Sequence, residues 1–219
     1  MKCNFFAFLP VFAMFAVSPM TAAQAGPVTS ITLPAPQKAG GKPVLDAVAA
    51  RASASGSGFP SKAISPEELS TLLWSASGKN RADKWSVPFG MGAEPYVDIY
   101  VVGKEGIHRY AWQDHSLKPV ADGDLRTQVN SQSFAGAASH IFIFVSNKAS
   151  LKKKGGSSQN WAKWTHVATG AMTQQLYLVS DSLNIGARYA ETMDVDFVRK
   201  TLSIPADEEP ICIFALGKR

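Results

Sequence analysis

The apolar run at residues 140–145 restricts the possible folds of this chain more than any other segment. It reads His-Ile-Phe-Ile-Phe-Val, with no polar side chain after His140. A strand that exposes one face to water alternates polar and apolar residues, whereas a strand covered on both faces can be apolar throughout. The run therefore predicts a central strand in a sheet that has a layer of structure on each side.

Other strands are predicted by β-branched and aromatic residues. Tyr96 to Val102 and Ile107 to Trp112 are separated by four residues with a glycine at each end, which predicts a hairpin. Ala187 to Ala190 predicts a short strand, and Ile211 to Leu216 predicts a last buried strand.

Helices are predicted by start signals and by apolar spacing. The sequence Ser-Pro-Glu-Glu from Ser65 supplies a cap, a first-turn proline and two acids; leucines at helical spacing follow, and Gly78 ends the helix. Further helices are predicted at Val44 to Ala52, Asp122 to Val129, Ser133 to Ala138, Trp161 to Leu183 and Asp194 to Leu202. Strands and helices do not alternate regularly, which favours an α+β fold.

The N-terminal segment is typical of a secretory signal peptide. Lys2 precedes an apolar stretch, and Ala23-Gln24-Ala25 forms a small-x-small cleavage site. We expect residues 1–25 to be removed, residues 26–43 to form a Pro/Gly-rich linker or an arm, and residues 44–219 to form one domain. The protein would then be periplasmic or secreted, with no stable membrane insertion after cleavage; a retained anchor is the alternative.

The cysteine count predicts one buried thiol, and the charge distribution argues against a nucleic-acid-binding protein. Signal removal takes Cys3 away and leaves Cys212, whose apolar neighbours predict a buried thiol. The net charge is +5, and the one basic run, Lys152 to Lys154, precedes Gly-Gly-Ser-Ser and predicts a solvated loop. Nucleic-acid binding needs a basic face with interleaved aromatic residues, which is absent.

Neither a metal site nor a nucleophile is predicted. The four histidines (His108, His115, His140 and His166) lack metal-ligand spacing, and no Gly-x-Ser-x-Gly sequence occurs. The sequence motifs therefore identify no catalytic residue.

An ordered set of segments resembles the nitroreductase family, in the branch that includes the SagB-type dehydrogenases. The set comprises Arg-Ala-Ser at residues 51–53, the helix and Gly-Lys-Asn-Arg at 64–81, the strand pair at 97–110, and Thr-Gly-Ala-Met-Thr-Gln-Gln at 169–175. The resemblance covers about residues 44 to 217. It implies a central, mainly antiparallel sheet flanked by helices, with flavin mononucleotide (FMN) at a homodimer interface.

The resemblance also implies a function and a site. The function is hydride transfer through the flavin to or from a small organic substrate. The implied cofactor-binding residues are Arg51, Ser53, Ser55, Pro88, Gly90, Gly92, Gly186, Lys218 and Arg219. Arg51 has an alternative role as a helix C-terminal cation. Lys218 and Arg219 could instead be a frayed basic tail.

The sequence departs from the family pattern in three places, one of which is a loop with more than one changed residue. Ser55 stands where the family has a second arginine, the loop at residues 88–95 contains Gly92 and Glu94 in place of amide side chains, and His166 precedes the Thr-Gly pair where an acid is common. These departures leave a second interpretation open, namely a cofactor-less scaffold that acts as a periplasmic binding or interaction protein.

Overall fold

In the computed structural model, residues 27–82, 84–90, 94–152 and 160–219 are described. The signal segment, Gly92 and most of the lysine run lie outside these ranges. The strands are β1 (Ile31–Thr32), β2 (Lys79–Arg81), β3 (Lys84–Trp85), β4 (Val97–Val102), β5 (Gly106–Ala111), β6 (Ser116–Asp122), β7 (His140–Ser146), β8 (Ile185–Ala190) and β9 (Pro210–Lys218). The helices are α1 (Val44–Ala50), α2 (Pro66–Ser77), α3 (Arg126–Val129), α4 (Ser133–Ala137), α5 (Lys148–Lys152), α6 (Trp161–Ser182) and α7 (Val195–Leu202).

Seven of the strands form one sheet in the order β1-β6-β5-β4-β7-β9-β8, and every pairing in it is antiparallel. The apolar run forms β7, which lies between β4 and β9. Residues 141–145 are each at most 2% exposed. The prediction of a strand buried on both faces is confirmed, as is the hairpin formed by β4 and β5.

Helices cover both faces of this sheet. On one face, α2 and α6 bury Leu72 and Met172 against Phe142 and Phe144 of β7. On the other face, α3, α4 and α7 pack over the intervening β7 side chains, such as Ile143. This arrangement confirms the α+β class and explains why β7 carries apolar side chains in both directions.

The start of α2 has the predicted capping geometry. The Ser65 hydroxyl accepts a hydrogen bond from Glu68 N at 3.2 Å, and the Glu68 carboxylate accepts one from Ser65 N at 2.9 Å. Helix α6 spans nearly the predicted length. Among the described residues, no helix has the length and apolar character needed to span a membrane.

The predicted helix from Asp122 to Val129 is wrong in its first half. Asp122 is the last residue of β6, where it pairs with Gly106, and Gly123 then turns the chain with φ of +85°. Only Arg126–Val129 is helical. Strand β6 was not predicted as a strand because Pro119 and two charged residues interrupt its apolar pattern.

The Pro/Gly-rich segment before α1 lies along the domain as an arm. Strand β1 pairs with β6 through Ile31 and Leu117, and the backbone N–H of Gln37 donates to the Thr71 hydroxyl at 2.9 Å. The hairpin of β2 and β3 and the short α5 were also not predicted. Strand β1 forms an edge of the seven-stranded sheet, whereas β2 and β3 pair separately from it.

Candidate functional site

Arg51 ends helix α1 and points onto the long helix α6. Its backbone leaves the helical region at φ −54° and ψ 120°. The guanidinium carbon lies 5.2 Å from the ring centroid of Tyr177, a cation–π contact. Among the described residues, no carboxylate lies within ion-pair distance of Arg51. The guanidinium is therefore held in place while its charge lacks a protein counter-ion in this part of the chain.

Ser53 meets the same tyrosine two residues later. Its hydroxyl lies 2.8 Å from that of Tyr177, which also accepts a hydrogen bond from the backbone N–H of Tyr189 at 2.8 Å. The backbone N–H of Ala54 donates to Ala187 O at 2.7 Å, so the loop is fixed to the edge strand β8. The structure thus brings Arg51 and Ser53 together on one side chain of α6.

Arg188 of β8 contacts the same loop from the other face of the sheet. Its Nη1 donates to Ala54 O at 3.1 Å, and its guanidinium lies over the ring of Phe134 at 5.2 Å. The buried Nε has no hydrogen-bond partner among the described residues. Ser55 itself is exposed just beyond this contact.

A cavity of about 410 Å³ opens beside Tyr177 on the outer face of α6. Its lining comprises His166, Thr169, Gly170, Thr173, Gln174, Tyr177, Tyr189 and Ile211. Gly170 faces open space, since a Cβ added there would meet no atom within 4 Å. The Nε2 atom of His166 is 3.7 Å from the Glu209 carboxylate.

A second cavity, of about 390 Å³, lies nearer the start of α6. It is lined by Pro88, Phe89, Gly90, Tyr96, Lys163, Trp164 and Val167. A Cβ at Gly90 would lie 3.0 Å from the Trp164 ring, so this close approach favours glycine. Along α6, Trp164 and Tyr177 are separated by about 20 Å at 1.5 Å per residue. At 3.6 residues per turn the same step from Trp164 to Tyr177 also turns by about 140°, so the predicted residues at 51–53 and 88–90 contact different sides of α6.

The other predicted residues do not line either of these two cavities. Gly186 is buried against Pro60, and a Cβ there would lie 2.5 Å from the proline ring. Lys218 donates hydrogen bonds to the Glu68 carboxylate and to Leu183 O. The terminal cation Arg219 lies 3.6 Å from Asp181, as an ion pair. The C-terminal basic pair is thus already engaged by carboxylates and is not a frayed tail.

The buried thiol and the tyrosine near the first cavity are both poor nucleophiles at neutral pH. Cys212 is fully buried, as predicted, and burial raises the pKa of its thiol to about 12. Burial and a hydrogen bond to the Glu191 carboxylate raise the pKa of Tyr189. No group of three or more His, Cys, Asp or Glu side chains suited to a metal occurs among the described residues.

Sequence reasoning did not single out Tyr177. It lies within the segment that resembles the family, at the spacing of the exposed α6 residues Gly170 and Gln174. That periodicity could have placed it on the outer face of α6. It could not have shown that this face meets the loop at residues 51–53, because the contact spans more than 120 residues.

The sheet order, the covering helices and the loop on α6 define an α+β protein of the nitroreductase fold. The Nitroreductase family model matches residues 49–218, and the chain belongs to this family. It is similar to the crystal structure of a proposed nitroreductase of Ralstonia eutropha JMP134, with a TM-score of 0.78 and 28% identity, over 90% of this chain and 94% of that one.

Two further proteins are similar to this chain, one in sequence and one in fold. A proposed nitroreductase of Methanocaldococcus jannaschii is 24% identical over 74% of this chain and 84% of its own length. The structure of a proposed NADH oxidase of Clostridium acetobutylicum has a TM-score of 0.54 and 15% identity, over 78% of this chain and 86% of that one.

Proposed function

We propose that the protein is an FMN-dependent oxidoreductase that transfers hydride to or from a small organic substrate. The observation that carries this proposal is the placement of Arg51 and Ser53 together on Tyr177, with no carboxylate paired to Arg51 among the described residues. Membership of the nitroreductase family supports it. The ordered set of segments at residues 51–53, 64–81, 97–110 and 169–175 resembles the SagB-type dehydrogenases. We therefore propose that the chain belongs to that branch of the family.

Residues beside the two cavities offer partners for two parts of such a cofactor. A planar guanidinium and a hydroxyl are suitable partners for a phosphate group. Gly170 leaves room along α6, and the half-buried Trp164 offers apolar surface for a planar ring. When bound, the flavin would supply the hydride chemistry, while the protein binds and orients it.

We further propose that the protein is a homodimer. Helix α1 exposes three apolar side chains, Val44, Leu45 and Val48, which are 65%, 77% and 52% exposed. Such a row of exposed aliphatic residues is typical of an interaction surface. Light scattering should give twice the chain mass for the parent protein, and Leu45→Glu should lower it; a monomeric parent protein would contradict the proposal.

Export remains part of the proposal. The signal-like segment at residues 1–25 directs the chain out of the cytoplasm, where it would acquire FMN after translocation. Because reduced nicotinamides are cytoplasmic, the protein would use another electron donor or would oxidise its substrate.

One observation favours a second candidate, a cofactor-less binding or interaction protein. Lys218 and Arg219, which the resemblance assigns to the phosphate, are paired with Glu68 and Asp181. A phosphate would have to compete with these carboxylates, and Ser55 supplies no further cation.

Titration with FMN decides between the two candidates. We expect the parent protein to quench FMN fluorescence, and Arg51→Gln to weaken binding by about 10- to 150-fold, the effect of about 1.5–3 kcal/mol for a charged hydrogen bond. Arg109→Gln is the matched control, because Arg109 lies on β5, away from the α6 face. A parent protein that binds no FMN would contradict the proposal of an FMN-dependent oxidoreductase. It would favour the second candidate, the cofactor-less binding or interaction protein.

A further inference from the structure

We propose that Tyr177 is a positioning residue for the phosphate end of FMN, acting through Arg51 and Ser53. This inference rests on the proposed function. It assigns to Tyr177 the discrimination between FMN and riboflavin, which lacks the phosphate.

The ring of Tyr177 holds the guanidinium of Arg51. The two groups are 5.2 Å apart, and Tyr177 is half-buried on α6. A stacked guanidinium keeps its N–H groups, which lie in its plane, available for an anion. Because Arg51 has no carboxylate partner among the described residues, those donors are not used up by a salt bridge. The ring therefore orders a long side chain before any ligand arrives.

The hydroxyl of Tyr177 sets the direction of a hydrogen-bond chain. The backbone N–H of Tyr189 can only donate, so the Tyr177 oxygen accepts this bond at 2.8 Å. The Tyr177 proton can then be donated to the Ser53 oxygen, also at 2.8 Å. The Ser53 proton is left free to be donated outward, to an oxygen of an anion. Bonds arranged in such a chain polarise and strengthen one another.

The tyrosine is itself fixed from three sides. Its ring meets Phe214 of β9 in an edge contact, with centroids 4.9 Å apart and an angle of 72°. Its Cα belongs to α6, and its oxygen is tied to the backbone of β8. A group locked in this way lowers the entropy cost of ordering Arg51 and Ser53 on binding.

Tyr177 acts through its neighbours because its hydroxyl proton can be donated to Ser53, which can then donate its own proton to the anion. The experiment measures dissociation constants for FMN and for riboflavin by fluorescence quenching. We expect Tyr177→Phe to weaken FMN binding by about 2- to 13-fold, since a net hydrogen bond contributes about 0.5–1.5 kcal/mol, and to change riboflavin binding less than about twofold.

Tyr110→Phe is the matched control. It makes the same substitution on β5, where the hydroxyl lies 2.8 Å from Nδ1 of His115 and contacts neither Arg51 nor Ser53. We expect this variant to bind both flavins as the parent protein does. Equal weakening of FMN and riboflavin by Tyr177→Phe would show a merely structural role and overturn the inference.

A double-mutant cycle with Ser53→Ala tests the route of action. If Tyr177 acts through Ser53, adding Tyr177→Phe to Ser53→Ala should change FMN affinity by less than about twofold. Full additivity of the two substitutions, or an unchanged FMN affinity in Tyr177→Phe, overturns the inference while the proposed function stands. A parent protein that binds neither flavin overturns both.

Discussion

Lys218, near the end of the last strand, donates a hydrogen bond to the carboxylate of Glu68 in the first turn of α2. The same ammonium donates to Leu183 O, at 2.7 Å, where α6 ends. One side chain thus ties β9 to the ends of two helices. Both partners are less than a third exposed, at 29% and 20% for their side chains, so screening by solvent is incomplete.

Removal of this charge pair should lower stability and free Lys218. Glu68→Gln keeps the capping box, because glutamine can also accept from Ser65 N, yet it removes the carboxylate. We expect the free energy of unfolding to fall by about 1–2 kcal/mol in urea titrations. If Lys218 is a phosphate ligand, the same variant should also bind FMN more tightly.

Glu67→Gln is the control for this variant. Glu67 lies in the same first turn but is exposed and has no ion pair among the described residues, so it shares only the helix-dipole effect. Equal losses of stability in the two variants would mean that the bond to Lys218 adds nothing.

Two glycines should respond in opposite directions to alanine. A Cβ at Gly217 would lie 1.8 Å from the backbone oxygen of Pro60, so Gly217→Ala should destabilise the fold by about 2–3 kcal/mol. Gly170 lies in the exposed middle of α6 with open space around it, so Gly170→Ala should stabilise the isolated chain by about 0.5–1 kcal/mol. Thermal unfolding of both variants measures the difference.

Gly170→Ala also tests the α6 face. If a second subunit or a planar ring packs closely there, the methyl group should weaken dimerisation or FMN binding despite the gain in stability. A stabilised variant with unchanged dimerisation and FMN affinity would show that nothing packs at this position.

Local patterns were sufficient to predict most of the fold. The run in β7 identified a strand buried on both faces, and the Ser-Pro-Glu-Glu start fixed the first turn of α2. Strand β6 was missed because its stability comes from pairing with β5 and β1, which no local pattern shows. Asp122 was consequently assigned to a helix.

The contacts of the candidate site could not be predicted from the sequence. The resemblance pointed to Arg51 and Ser53, whereas the partner that holds them, Tyr177, is more than 120 residues away in sequence. Likewise, the sequence Gly-Lys-Arg at the C-terminus is equally compatible with a phosphate site and a tail. Only the packing of β9 against α2 shows that Glu68 is the partner of Lys218.

The Cys212 thiol should be inert in the folded state. Cys212 is 0% exposed, and burial raises its pKa to about 12, so almost no thiolate is present at pH 8. In a Cys3→Ser chain, we expect a thiol-specific disulfide reagent to react only after denaturation, giving one thiol per chain. Fast reaction of the native protein at pH 8 would contradict the buried position.

The half-buried His140 should make the fold sensitive to acid. Burial lowers the pKa of its imidazole to about 4, and the nearby Arg126 and His108 act in the same direction. An unfolded chain would bind this proton near pH 6.5, well before the folded chain does. Stability from the neutral imidazole is therefore complete above pH 6.5 and is lost as the pH falls towards 4.

His140→Asn isolates this contribution, since asparagine can still meet the Ser139 hydroxyl that contacts Nδ1 of His140. Between pH 6.5 and 4 we expect the parent protein to lose up to about 1.4 kcal/mol per pH unit more than the variant. Asp98 and Glu208, whose pKa values are raised by burial, act in the opposite sense in both proteins. Urea unfolding at several pH values measures the difference, with the exposed His166→Asn as the control; identical slopes in the parent and His140→Asn proteins would refute the prediction.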